Sequence, residues 1–281
     1  MKKILLGALL AIVIGIVGMF SVGGNVFSQS HYVEIDEKKT LKANQIKELE
    51  INGDVVDVHI SESKSDEIDI HFYGDVGERL KDQIQFEVEE KASKVEITVD
   101  QKNKWFVQIP FIYDEINSER KLDISIPAKL LKTLDVKSDI GNISIEDVQP
   151  STLIARSDTG EIDVQNFAGK GQFTSDIGDI SLENISGKVE ATTDTGEVEL
   201  QLMNLSDDIE LNSDVGDIKV VVRGEAKNLS LDLNSEIGDV TVAGFDGFQN
   251  SSSNSVITNI GAGGPIIKAK TDVGEIEVVK Q

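Results

Sequence analysis

One pattern, recurring about every 18 residues, constrains the fold of this chain more than any other feature. It reads KSDIGNISI at 137–145, RSDTGEIDV at 156–164, TSDIGDISL at 174–182 and TTDTGEVEL at 192–200. It returns as NSDVGDIKV at 212–220, NSEIGDVTV at 234–242 and KTDVGEIEV at 270–278. Its glycines are Gly141, Gly160, Gly178, Gly196, Gly216, Gly238 and Gly274, at spacings of 19, 18, 18, 20, 22 and 36. The last spacing equals two eighteens, so one unit between Gly238 and Gly274 is expected to lack the motif.

Each unit has the same grammar. A short alternating strand leads into Ser/Thr-Asp/Glu-x-Gly-Asp/Glu/Asn, where Gly tolerates φ > 0 and Asp can accept backbone N–H groups. A second strand with period two follows. A unit this short cannot bury its own apolar face, so units must stack. The expected fold is all-β: a parallel β-solenoid, or β-helix, of 18–22-residue repeats over 136–281. About eight coils at ~4.8 Å each make a rod of roughly 40 Å. The residue before each glycine runs Ile140, Thr159, Ile177, Thr195, Val215, Ile237, Val273. Its early alternation also permits a 36-residue coil with successive motifs on opposite sides.

Residues 31–135 alternate without a clear period, as at Lys47–Ile51, Val55–Ile60, Glu67–Tyr73, Ile84–Val88, Val95–Val99 and Lys121–Ile126. They read as an irregular β region capping the solenoid, because open strand edges invite aggregation. Asn52-Gly53-Asp54-Val55 echoes the repeat turn, and one short helix is expected around Val76–Asp82. The aromatic run Trp105, Phe106, Phe111 and Tyr113 fits a core strand or, alternatively, a partner-contacting loop.

The chain begins Met1-Lys2-Lys3 and then carries no charge from Ile4 to Ser30. Ile4–Val22 is about long enough to span a bilayer and long for a cleaved leader. Residues 1–30 therefore read as an N-terminal transmembrane helix and linker, with the lysines cytoplasmic and the rest outside. The expected location is the cell membrane, single-pass, with a secreted product if the segment is cleaved. The chain has no Cys, which removes disulfides, thiolate metal sites and a lipid-bearing cysteine.

Fifty acids face 27 bases, for a formal charge of −23, which argues against nucleic acid as a partner. The repeats hold most of the imbalance: residues 136–281 carry 26 acids and 10 bases. Asp139, Asp158, Asp176, Asp194, Asp214, Glu236 and Asp272 precede the glycines by two. Asn142, Glu161, Asp179, Glu197, Asp217, Asp239 and Glu275 follow them by one. Stacked coils would place like charges ~4.8 Å apart, a repulsion of roughly 0.9 kcal/mol per pair even in bulk water. Either the first Asp accepts turn N–H groups while salt screens the rest, or Ca²⁺ bridges adjacent coils. Asp139, Asp158, Asp176, Asp194 and Asp214 are the candidate Ca²⁺ ligands. No other cofactor is expected, and the repeat lacks the Gly-Gly-x-Gly-x-Asp of calcium rolls.

Polysaccharide-active β-helix enzymes set carboxylates against a basic partner in a groove. Here the arginines are only Arg79, Arg120, Arg156 and Arg223, and His31, His59 and His71 lie outside the repeats. No nucleophile elbow, P-loop or His-Glu-x-x-His is present, so no catalytic residue is named.

Leu122-Asp123-Ile124-Ser125-Ile126-Pro127, then Leu134-Asp135-Val136 and Ser138-Asp139-Ile140-Gly141-Asn142-Ile143, resembles the LiaG-like bacterial putative-adhesin family. The resemblance covers 31–281, most strongly 120–281. It implies a membrane-anchored extracytoplasmic β-solenoid without established enzymatic activity, encoded beside cell-envelope-stress proteins. The expected role is an interaction or scaffold module at the cell envelope, partnered by an envelope protein or cell-wall polymer. The alternatives are a calcium-stabilised adhesin and a polysaccharide-active enzyme.

Overall fold

A computed structural model describes residues 32–78, 80–102, 119–127, 131–245 and 251–281. The expected membrane segment, and Trp105, Phe106, Phe111 and Tyr113, lie outside these. Among the described residues no helix is long and apolar enough to cross a membrane.

Two sheets, of 12 and 11 strands, face each other. Each coil contributes one strand to each sheet. In one coil Thr152–Thr159 lies in the 11-stranded sheet, the chain turns at Gly160, and Ile162–Gln165 lies in the 12-stranded sheet. The next coil repeats this with Lys170–Ile177 and Ile180–Ser186, in parallel register. Ser157 pairs with Ser175, and Ile162 with Ile180. One motif is therefore one coil of about 18 residues, and the 36-residue alternative is excluded.

Alternation fills the space between the sheets. In the 11-stranded sheet Val136, Ala155, Phe173, Ala191, Leu211 and Ala269 form one buried column in the order in which their strands pair. Phe173 fits because alanines flank it and because residue 171 is glycine; a Cβ there would lie 2.5 Å from the Phe173 ring. Across the gap, Ile143, Ile162, Ile180, Val198, Ile218 and Ile276 form a facing column. Such β-branched residues suit a pleated, buried surface.

The coils do not stack in chain order at either end. Residues 31–135 are assigned by sequence to a cap, yet two of the nine coils in the described residues fall within them. Glu48–Val55 with Asp57–Ser63 forms a coil pairing parallel with Thr133–Ile140 and Ile143–Glu146. Lys94–Gln101 with Glu119–Pro127 stacks outside that earlier coil. Antiparallel strands Tyr32–Lys42, Glu67–Gly77 and Ile84–Lys91 then close this end. The expected helix at Val76–Asp82 is absent: the strand continues to Gly77, and a single 3-10 turn occupies Lys81–Gln83.

At the far end the chain builds its outermost coil, Leu229–Ile237 with Val240–Ala243, before the one that underlies it. Ser251–Ser253 and Ser255–Ile260 pair antiparallel against it. The chain then returns, and Ile266–Val273 with Ile276–Lys280 inserts between that coil and Ile209–Val222. The gap between Gly238 and Gly274 is thus an end cap and a return, and not a degenerate coil. Returning lets the last coil pair on both sides and leaves the rod's end to short antiparallel strands.

Candidate functional site

The repeat turns form one continuous edge of the rod. Its spine is glycine. Gly141, Gly160, Gly178, Gly196, Gly216, Gly274 and Gly238 follow one another, each at φ between +146° and +155°. A Cβ on any of them would lie 1.9–2.2 Å from the carbonyl oxygen of the preceding member of the file. That approach, more than backbone freedom, demands glycine. Val56 heads the file in place of a glycine, and Ser138 Oγ donates to its carbonyl at 3.0 Å. The echo at Asn52–Val55 is a true repeat turn, since Gly53 pairs with Ser138 and Val55 with Ile140.

Behind the glycines runs a buried hydroxyl file. Ser157, Ser175, Thr193, Ser213, Thr271 and Ser235 each donate to the neighbouring glycine carbonyl, at 2.7–3.1 Å. All are at most 2% exposed. The sequence pattern assigns the Ser/Thr of the motif no role, and Gly53 takes its place in the first turn. A small hydroxyl residue at each inward-facing position, among aliphatics, was the available signal.

The carboxylates behave differently from the sequence expectation. N–H acceptance falls to the residue after the glycine. Asp57, Asn142, Asp179 and Asp217 each accept, through Oδ1, the N–H of the following coil's equivalent residue, at 2.7–2.9 Å. These short side chains alternate with Glu161, Glu197 and Glu275, for which no such bond is formed. A glutamate carboxylate stands one methylene too far out to reach the adjacent amide.

The Asp before the glycine points to solvent. At one end of its file Lys137 Nζ sits 2.7 Å from Asp139 and 3.9 Å from Asp158; at the other, Lys270 sits 2.8 Å from Asp272 and 3.6 Å from Glu236. Between them Asp176, Asp194 and Asp214 make no ion pair among the described residues, because Thr174, Thr192 and Asn212 replace the lysine. The five candidate calcium ligands thus lie in single file. Among the described residues no group of three or more His, Asp or Glu converges closely enough to hold a metal ion.

Between the two acidic files stands an outward stripe of β-branched side chains, half-buried at Val55 and exposed beyond it: Val55, Ile140, Thr159, Ile177, Thr195, Val215, Val273 and Ile237, in register order. Its Ile and Val members beyond Val55 are 44–68% exposed. The motif's x position is thus the rod's regular apolar outward surface.

The histidines lie elsewhere. Asp123 pairs in register with His59 on one side and His71 on the other. His71 Nε2 is 2.7 Å from Asp36, its ring stacks on Tyr73 at 4.3 Å, and Tyr73 donates to Asp123 at 3.1 Å. Partial burial and the Asp123 carboxylate push the Tyr73 phenol up, while His71 and Lys38 hold Asp36 low. An open depression of about 370 Å³ on the opposite edge is lined by Gln149, Asn166, Phe167, Asn184 and Met203, among others, none of them titratable.

The profile of the Toastrack DUF4097 family matches residues 46–185 and again 168–279. A comparison with curated proteins finds no match. Among solved structures, the chain is similar to a putative adhesin from Bacteroides fragilis, at 15% identity and TM-score 0.45, covering 89% of this chain and 98% of that one. A putative cell adhesion protein from Clostridium sporogenes gives 14% identity and TM-score 0.36, covering 89% and 100%. A putative lipid binding protein from Parabacteroides distasonis gives 15% and 0.29, covering 88% and 96%.

Proposed function

The chain belongs to the Toastrack DUF4097 family, and we propose that its rod is a non-enzymatic interaction module read along the turn edge. One observation carries this reading: the continuous outward file of β-branched side chains at the turn edge, its Ile and Val members exposed from Ile140 to Ile237, set between two acidic files. Soluble surfaces seldom maintain a contiguous apolar line without a use for it. The stripe supplies contact area, and the carboxylates select a partner bearing cationic groups.

We further propose that Ile4–Val22 anchors the rod in the cell membrane with the coils outside. In the LiaG-like reading the module then serves the cell envelope, including its stress response, by engaging an envelope protein or cell-wall polymer. The test is a pull-down from membranes with the full chain and a variant carrying Ile140→Ser, Ile177→Ser and Val215→Ser. Partners should be lost from the variant while its melting temperature is unchanged. Full retention of every partner would sink the turn-edge reading.

A further inference from the structure

The rod has four sheet edges, two at each end. Natural proteins protect such edges with charge, proline, bulges or brevity. Three edges here conform. Tyr32–Lys42 carries six charged residues, Ile84–Lys91 carries four, and Ser251–Ser253 is only three residues long. The fourth, Ser255–Ile260, does not. It reads Ser-Val-Ile-Thr-Asn-Ile, with no charge and no proline, and it pairs with Leu229–Asn234 without a register shift. Ile257 on its outer face is 79% exposed, more than any other large apolar side chain described.

The strand's backbone is set for a further partner. Ser235 N–H donates to the Asn254 carbonyl at 2.9 Å, which fixes the phase of the antiparallel ladder. By alternation Val256, Thr258 and Ile260 turn their amides and carbonyls toward Leu233, Leu231 and Leu229. Ser255, Ile257 and Asn259 therefore present theirs to the open side. The Ser255 carbonyl already accepts the Ser253 hydroxyl at 2.6 Å; an added strand would pair the remaining groups of all three residues by β-augmentation.

Charge selects the occupant. The chain carries −23 overall and is 27% charged, yet Asp246 is the one charged residue from Gly244 to Pro265. A second copy approaching along the rod meets like charge, whereas at this end the outermost strand is uncharged and the nearest carboxylate, Asp232, lies one strand further in, opposite Ile257, so two such ends meet with less repulsion. We propose that Ser255–Ile260 is a self-docking strand, pairing antiparallel with the same strand of a second copy about a two-fold axis through Ile257. Directly opposed residues share a face in an antiparallel pair, so outward-facing residues must meet outward-facing ones. The axis at Ile257 sets Ile257 against Ile257 of the second copy, and Ser255 against Asn259 of the second copy. That register forms about six new backbone hydrogen bonds, two per facing pair, and it is isologous and closed. It joins the 11-stranded sheets end to end. Tyr32–Lys42, at the opposite end of the 12-stranded sheet, would then stand roughly 100 Å from its counterpart, from ~4.8 Å per strand. Self-docking stands independently of membrane anchoring. Bridging of two membranes would follow only if the proposed anchor is real.

The native chain has no cysteine, so Ile257→Cys places a lone thiol on the axis. A hydrogen-bonded antiparallel pair holds its Cα atoms ~5.5 Å apart, within disulfide reach. Under mild oxidation the full-length Ile257→Cys chain in detergent should form a covalent dimer at least about tenfold faster than Ile177→Cys or Glu87→Cys, since docked thiols have a raised effective concentration. Ile257→Pro removes an N–H that serves no strand in the monomer. It should convert a sedimenting dimer to monomer without lowering the melting temperature, and Ile257→Lys should do the same through charge. Equal oxidation rates at the three cysteines would overturn the proposal. So would a wild-type chain that stays monomeric at its highest soluble concentration, or a dimer that survives both Ile257→Pro and Ile257→Lys.

Discussion

Gly178→Ala tests the coil-stacking argument most directly. The new Cβ would lie 2.1 Å from the Gly160 oxygen and 2.6 Å from its carbon. Ordinary van der Waals distances would require the two coils to part there by about 1 Å. Gly160 N–H to Ile177 O, Ile162 N–H to Asp179 O, and Ser175 Oγ to Gly160 O all cross this junction, at 2.9–3.0 Å. Alanine at φ +152° adds backbone strain of about 1–3 kcal/mol. Overpacking contributes about 1–3 kcal/mol and a weakened hydrogen bond about 1 kcal/mol. The expected loss is about 3–7 kcal/mol, a large part of the stability of an ordinary domain. For a chain of this size that corresponds to a melting temperature lower by roughly 10 °C. Repeat arrays can lose two-state behaviour, so hydrogen exchange should accompany the melt and show opening centred on the coils beside Gly178. Ile177→Ala, one residue away but 57% exposed, serves as the control and should shift stability by about 0.5 kcal/mol or less. A Gly178→Ala protein that melts with the control would refute the claim that carbonyl approach dictates glycine.

Other outcomes follow from the same geometry. Phe173→Ala should cost about 3–5 kcal/mol in denaturant unfolding, because Ala155 and Ala191 cannot fill the vacated space; a loss below about 1 kcal/mol would contradict the column. Ser175→Ala, which strips a buried carbonyl of its donor, should cost about 1 kcal/mol by the same assay. The Lys94 ammonium and then Asn52 hold the Glu50 carboxyl below the usual range. Its contribution is thus present above the unfolded glutamate value of about 4.3 and is lost as pH falls through the lower folded value. Glu50→Gln should therefore flatten the acid limb of the stability curve, and an unchanged limb would count against the pair. If the files of carboxylates are merely screened, sodium and calcium should raise the melting temperature equally at matched ionic strength. A rise with submillimolar calcium, reversed by a chelator, would instead establish bridging at Asp176, Asp194 and Asp214.

Much of the coil was legible in residue order because its causes are local. A strand alternates with period two, and glycine marks a turn that only glycine can occupy. Seven copies of one turn, with one unit lacking it, imply about eight stacked coils, one short of the nine in the described residues. The stripe at Ile140, Ile177 and Val215 was visible as a variable letter, yet its exposure depends on where the turn points. The two acidic positions looked alike in sequence. They separate in the structure because from Asn142 onward only the one after the glycine bonds the next coil's amide, and only when it is as short as Asp or Asn; Asp54, before the first turn, is the exception and accepts the Gln101 N–H at 2.8 Å.

By itself the sequence determined the coil: its period, its glycine spine, its alternating core and the acidity of its turns. Those follow from sterics and burial within a stretch of about 18 residues, repeated. The tertiary structure alone decided which coil lies beside which. Glu48–Ser63 joins the stack ahead of the Lys94–Pro127 coil, and Ile266–Lys280 slips beneath Leu229–Ala243. Every coil offers the same backbone ladder to either neighbour, so local pattern cannot rank the possible orders. The choice is made by which ends must be closed, and by an end cap whose uncharged strand, Ser255–Ile260, forms the sheet edge before the chain returns.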